Sequence, residues 1–160
     1  MKFKPAIIGL ITAVIMIIAA LVLDSQRDSL DPRMQYLIFV IYAAGIFMAI
    51  YTHSRNPDSS GKFAELFGQG FRCFIIITVC MVVFGFIFLK LHPEFAIQEA
   101  AHQREELEKL QGKSPAEIED MVSQVKKQYA IRYLSASIFG YLIVGAVISA
   151  AISALLTRRK

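Results

Sequence analysis

Four long apolar runs constrain this chain more than any other feature of its sequence. They cover residues 5–23, 34–53, 71–91 and 131–156, and each can cross the hydrocarbon core of a membrane, which takes about 20 helical residues. Inside lipid every backbone N–H and C=O group must be bonded within the chain, so we expect each run to be a helix. The sequence therefore predicts an all-α fold, an integral membrane four-helix bundle in which residues 1–160 form a single membrane domain.

Charged side chains are scarce and lie at or beyond the ends of these runs. Asp, Glu, Lys and Arg make up 19% of the chain, against about a quarter in a typical soluble domain. The formal net charge is +4, but the basic residues flank apolar runs and form no surface with interleaved aromatic residues. Nucleic-acid binding is therefore not expected.

The first apolar run resembles a secretory signal peptide in its basic start, Lys2 and Lys4. Its apolar core is longer than the usual length of about 7–15 residues, and no A-x-A-like cleavage site follows it. We therefore expect the run to be a permanent span.

The distribution of Lys and Arg predicts the orientation, because cytoplasmic segments are enriched in them. With the N-terminus inside, the inside segments hold eight basic and two acidic residues, and the outside segments hold nine basic and eleven acidic residues. Four spans place both termini on one side. We expect both termini in the cytoplasm, and the segment between spans three and four in the periplasm of a double-membraned bacterium.

That segment, "HPEFAIQEAAHQREELEKLQGKSPAEIED", is polar and strongly charged. Pro93 ends the third span, and Gly112 is a natural C-terminal cap for the helix between them. Ser114 and Glu117 form a capping-box pattern around a proline at the first helical position, which predicts the start of a second helix. The sequence thus predicts a periplasmic helical hairpin over residues 93–130, between spans three and four.

The second helix of the hairpin carries an apolar face formed by Ile118, Met121, Val122 and Val125 at helical spacing. This face either packs against the first helix in an αα-hairpin or docks a partner. No glycine or proline interrupts residues 116–139, so the second helix is expected to continue into the fourth span.

Few residues suggest chemistry. Glu99 and His102 have the Glu-x-x-His spacing of di-iron bundles, but the pattern occurs once, on a polar helix. No Asp, Glu, Lys, Arg or His lies in the middle of a span, where such a residue usually marks a proton or ion pathway. The sequence therefore predicts no catalytic, cofactor-binding or metal-binding residue, and we do not expect an enzyme.

Small residues recur within the spans at helical spacing. Gly145, Ser149 and Ser153 lie at i, i+4 and i+8 on the fourth span, and small residues let membrane helices approach closely. We interpret them as positions of helix packing within the bundle or of a subunit interface. In the second case Gly145→Leu is expected to disrupt assembly.

The link between the second and third spans also has a helical pattern. Phe63, Phe67 and Phe71 follow a helical rhythm, which indicates a short interfacial helix leading into the third span. Gly68 and Gly70 are expected to let this helix bend.

The stretches "GKFAELFGQGFR" and "HPEFAIQEAAHQREELEKLQGKSPAEIEDMVSQVKKQY", followed by a span rich in small residues, resemble a family of small Bacteroidota membrane proteins, domain of unknown function 4199. The resemblance covers nearly the whole chain and is clearest at the Phe/Gly-rich entry to span three and at Gly112, Ser114 and Glu117. It implies a location in the bacterial inner membrane and supplies no catalytic residue. More weakly, it implies an association with polyprenol-phosphate glycosyltransferases.

These observations favour an accessory or scaffold subunit that binds a partner membrane protein through its periplasmic hairpin or its fourth span. The alternative is a small carrier or flippase for a lipid-linked substrate, linked to polyprenol-phosphate glycosyl transfer. The expected partners are membrane lipid and another membrane protein or a second copy of the chain, and no cofactor is expected.

Overall fold

The structure, a computed structural model, describes residues 4–25, 34, 36–57, 59–109 and 114–157. These residues form five α-helices and no β-strand. In chain order the helices are α1 (Pro5–Ser25), α2 (Tyr36–Ser54), α3 (Phe63–Leu91), α4 (Glu94–Lys109) and α5 (Pro115–Thr157).

Four of these helices, α1, α2, α3 and α5, are long and apolar enough to cross a membrane. The predicted all-α fold with four membrane-spanning helices is therefore confirmed. The apolar run at 71–91 is the later part of the 29-residue α3, and the run at 131–156 is the later part of the 43-residue α5. The polar α4 lies between them in the chain.

The link before the third span and the span itself form one helix. The stretch expected to be a separate short helix supplies the first turns of α3, which continues through Gly68 and Gly70 without a break. Gly61 precedes the helix with a φ of 65°, in the left-handed region that favours glycine.

The start of α5 is fixed by the predicted capping box. The backbone N–H of Ser114 donates to Oε2 of Glu117 at 2.8 Å, and the N–H of Glu117 donates to Oγ of Ser114 at 3.3 Å. The helix then runs without interruption to Thr157, about 64 Å at 1.5 Å per residue. One helix therefore supplies both the second half of the hairpin and the fourth span, as expected from the lack of glycine and proline.

The chain divides into two compact units. The first, called here the bundle unit, comprises Met1–Met81 and Ile138–Lys160; the second, the hairpin unit, comprises Val82–Ser137. Both α3 and α5 contribute residues to each unit.

The core of the bundle unit is formed by one face of each of its four helices. Large side chains from α2 and α3, together with Met16 of α1, fill it, and α5 contributes only small buried residues. Its buried residues are Gly9, Thr12, Ala13, Met16, Tyr42, Gly45, Ile46, Ala49, Ile50, Leu66, Gly70, Cys73, Phe74, Ile77, Thr78, Met81, Gly145, Ser149 and Ser153.

Candidate functional site

Gly145 of α5 lies against the most buried aromatic side chains of the bundle unit. A Cβ at this position would be 2.3 Å from Oη of Tyr42 and 2.7 Å from Cγ of Phe74. The Tyr42 hydroxyl donates to the backbone oxygen of Tyr141 at 2.8 Å, and the two tyrosine rings meet edge to face at 5.5 Å. The missing side chain of Gly145 therefore provides the space in which Tyr42 reaches the backbone of α5.

The two serines of the same face continue this contact along α5. Ser149 and Ser153 are fully buried, and a Cβ on Gly70 of α3 would lie 2.6 Å from Oγ of Ser149. Within the described residues neither serine hydroxyl has a hydrogen-bond partner. Gly145, Ser149 and Ser153 thus lie inside the bundle unit, where they bring α5 close to α2 and α3, and a subunit interface on α5 would need a different face.

Close contacts of the same kind join α1 to its neighbours. A Cβ on Gly45 of α2 would lie 2.3 Å from Oγ1 of Thr12, and a Cβ on Gly9 would lie 2.8 Å from the backbone oxygen of Cys73. Thr12 and Gly70 were not identified as packing positions from the sequence. Their partners come from other helices, and no spacing along one helix could indicate them.

The apolar face expected on the hairpin is largely turned inward. Ile118, Val122 and Val125 are half-buried, and Met121 is 39% exposed. On α4, Ala100 and Leu107 are buried at 5% and 8% exposure. The side chain of Arg104 on α4 pairs with Glu119 on α5. Burial and the ion pair together favour packing of the two helices against each other. The buried and half-buried residues, which we call the hairpin seam, are Ala100, Leu107, Ile118, Val122 and Val125. Met121 is the residue of the predicted face that is most exposed.

A polar cluster joins the end of α2 to the start of α3. His53 Nε2 donates to Oε1 of Glu65 at 2.6 Å, and the backbone N–H of Ser60 donates to Oε2 of the same carboxylate at 2.9 Å. The Glu65 carboxylate thereby fastens the connection between the two helices. The Ser60 hydroxyl also donates to Oε2 of this carboxylate.

A second polar contact lies at the connection between the end of α3 and the start of α4. His92 Nδ1 donates to Oε1 of Glu94 at 2.6 Å, and the His92 ring lies 4.5 Å from that of Phe88. The backbone N–H of Glu94 and the His92 side chain lower the pKa of the Glu94 carboxyl. In the described part of the chain, no three His, Cys, Asp or Glu side chains are grouped to hold a metal ion.

Nearly the whole chain matches the sequence model of a protein family. No curated protein and no solved structure matches the chain. The sequence model of a family described as "protein of unknown function (DUF4199)" matches residues 6–159, which extend from the first turn of α1 past the end of α5. The chain therefore belongs to this family of proteins of unknown function.

Proposed function

We propose that the protein is an accessory or scaffold subunit of the bacterial inner membrane that binds a partner membrane protein. The observation that carries the proposal is the polar hairpin formed by α4 and the start of α5. Ala100 and Leu107 are buried there, and the capping box and the pair of Arg104 with Glu119 use polar groups for the stability of the hairpin itself. Such an element leaves a charged outer surface, which suits recognition of another protein.

Two surfaces can meet the partner. The first is the exposed side of the hairpin, which includes Glu105, Lys126 and Lys127. The second is the outer face of the fourth span, where Phe139 and Ile143 are 65% and 63% exposed. Because the small residues of this span are turned inward, a partner within the membrane would contact these large apolar side chains by van der Waals packing.

The close contacts in the bundle unit also support a structural role. Glycines on all four of its helices lie so near their neighbours that an added Cβ would fall within 3.0 Å of another atom. A bundle packed in this way holds its helices in place. With both termini in the cytoplasm, as the Lys and Arg distribution favours, the hairpin would meet its partner in the periplasm.

Co-purification from native membranes tests the proposal. The tagged protein is extracted in mild detergent as the intact chain, with Pro93–Lys127 replaced by a short linker, and as the Lys126→Gln, Lys127→Gln variant. The control variant, Lys62→Gln with Arg72→Gln, removes two positive charges from the bundle unit. We expect a companion in fixed ratio with the intact chain and the control, absent from the linker variant and reduced with Lys126→Gln, Lys127→Gln.

Two results would contradict an accessory role through the hairpin. One is a single-component oligomer from all four chains. The other is a companion retained by the linker variant, which would move the contact to the spans. Substitution of Phe139 and Ile143 by alanine would then test the outer face of the fourth span.

The buried hydroxyls of Ser149 and Ser153 favour a second candidate function, a carrier or flippase for a lipid-linked substrate. Buried polar groups usually have hydrogen-bond partners, and these two face the interior of the bundle unit without one in the described residues. The test reconstitutes the protein in vesicles with a fluorescent polyprenyl phosphate. Movement across the bilayer that is no faster than in protein-free vesicles, or that survives Ser149→Ala with Ser153→Ala, would count against it.

A further inference from the structure

Basic residues gather at one end of the bundle unit. Lys4 precedes α1, Arg55 follows α2, Lys62 precedes α3, and Arg72 is the tenth residue of α3. All four side chains are exposed. This end of the unit, with the aromatic residues beside it, is called here the basic–aromatic end.

Contacts between the helices place these residues together. His53 near the end of α2 bonds to Glu65 near the start of α3, so Arg55 and Lys62 belong to the same end. Gly9 of α1 lies against Cys73 of α3. Since consecutive spans cross the membrane in opposite directions, the start of α1 lies at the end where α2 finishes and α3 begins.

Aromatic side chains accompany the basic ones. On α3, the rings of Phe63 and Phe67 stack with centroids 5.8 Å apart, and the ring of Phe71 follows at 6.4 Å. Phe63 and Phe71 are 43% and 46% exposed. The Arg55 guanidinium lies over the Tyr51 ring at 5.1 Å. The ring of Tyr51 is amphipathic, and tyrosine at the end of a span is typical of the depth of lipid headgroups, whereas the phenylalanine rings are apolar.

The positive charge of the basic–aromatic end is not neutralised by Glu65, the acidic residue that the structure describes there. The Glu65 carboxylate accepts hydrogen bonds from His53 and from Ser60. Among the residues that the structure describes, Lys62 and Arg72 form no ion pair. Their charges are therefore available to an anion outside the protein.

We propose that the basic–aromatic end binds the headgroup of an anionic phospholipid, with Lys62 and Arg72 contacting its phosphate. A helical side chain extends toward the N-terminus of its helix, so Arg72 can reach along α3 to headgroup depth while its methylene groups stay in apolar surroundings. Guanidinium and ammonium groups form strong, charge-assisted hydrogen bonds to phosphate. The phenylalanines pack beside the upper part of the acyl chains. This inference does not depend on the accessory function proposed above.

Lipid titration of the purified full-length protein tests the inference. Phosphatidylglycerol or phosphatidylcholine is added to the protein in neutral detergent, and bound lipid is counted by native mass spectrometry. The intact protein is expected to bind phosphatidylglycerol in preference. Each of the two basic groups is proposed to form a charge-assisted hydrogen bond to the phosphate, so Lys62→Gln with Arg72→Gln is expected to weaken this binding roughly tenfold or more.

The matched control, Lys109→Gln with Lys113→Gln, removes two positive charges from the hairpin unit and is expected to bind phosphatidylglycerol as the intact protein does. Equal affinity of the intact protein for the two lipids, or an equal loss in both double variants, overturns the inference. Should Lys62→Gln with Arg72→Gln not fold, a photoreactive phosphatidylglycerol is cross-linked to the intact protein. Labelling concentrated in residues 62–72 supports the site, and labelling elsewhere overturns it.

Discussion

Gly145→Ala adds one methyl group at the tightest contact of α5. The new Cβ would lie 2.3 Å from Oη of Tyr42 and 2.7 Å from Cγ of Phe74, where non-bonded carbon atoms normally stand about 3.5–4.0 Å apart. The two rings are in the core, with 0% and 2% exposure. Neither can move by about 1 Å without shifting its own neighbours, so α5 must move away from α2 and α3.

The expected cost combines two effects. Overpacking of a well-packed core destabilises by about 1–3 kcal/mol. The Tyr42 hydroxyl would also lose its hydrogen bond to the backbone oxygen of Tyr141, worth about 1 kcal/mol. The higher helix propensity of alanine offsets up to about 1 kcal/mol of this. We expect a net loss of about 1–3 kcal/mol and a thermal midpoint lower by roughly 5 °C.

Gly140→Ala on the same helix is the matched control. A Cβ at Gly140 would meet no atom within 4 Å, so this variant is expected to be as stable as the intact chain or slightly more stable. Both variants are purified in one detergent, and their unfolding is followed by circular dichroism and by the loss of the monodisperse elution peak on heating. Equal midpoints for Gly145→Ala and Gly140→Ala would refute the packing argument.

Gly145→Leu separates packing within one chain from assembly between chains. Since Gly145 faces the interior of the bundle unit, this substitution is expected to lower the thermal midpoint even in the monomer. Dissociation of an oligomer into monomers of unchanged thermal stability would instead place Gly145 at a subunit interface.

Three further substitutions test contacts elsewhere in the molecule. Gly45→Ala places a Cβ 2.3 Å from Oγ1 of Thr12 and is expected to lower the free energy of unfolding by about 1–3 kcal/mol. Adding Thr12→Ala to the same chain should restore part of this stability. A double variant that is no more stable than Gly45→Ala would argue against this contact. Ser114→Ala removes the capping hydroxyl and is expected to destabilise the start of α5 by about 1 kcal/mol, seen as faster amide exchange there, and unchanged exchange would contradict the cap. Arg104→Gln breaks an exposed pair with Glu119 and should change the free energy of unfolding by about 1 kcal/mol or less; a larger change in thermal unfolding would mean that the pair is the main link of the hairpin.

The number and type of helices could be predicted from the sequence because the signals are local. Each apolar run is long enough to span a membrane, and within lipid such a run must be a helix because its backbone groups have to bond to one another. The start of α5 could be predicted equally well, because Ser114 and Glu117 lie three residues apart in the chain and hydrogen-bond to each other. The continuity of α5 could be predicted because residues 116–139 contain no glycine or proline.

The direction in which a helix face points could not be predicted in the same way. Apolar residues cover all sides of a membrane span, so hydropathy does not separate lipid-facing from core-facing positions. Phe139 and Phe74 are chemically identical, yet one is 65% exposed and the other 2%. Gly70 illustrates the same limit: its sequence context suggested a bend in the helix, and its contact with Ser149 indicates a close approach of α3 and α5.

The inward position of the small residues changes where a partner should be sought. Had Gly145, Ser149 and Ser153 faced lipid, they would have been the natural site for another helix. Because they are buried against α2 and α3 in the same chain, substitutions there report on folding, and any loss of a partner would be indirect. Substitution of exposed residues such as Lys126, Lys127 or Phe139 leaves that core intact. A partner lost from these variants at unchanged thermal stability would therefore identify a binding surface, whereas loss from a Gly145 variant could not.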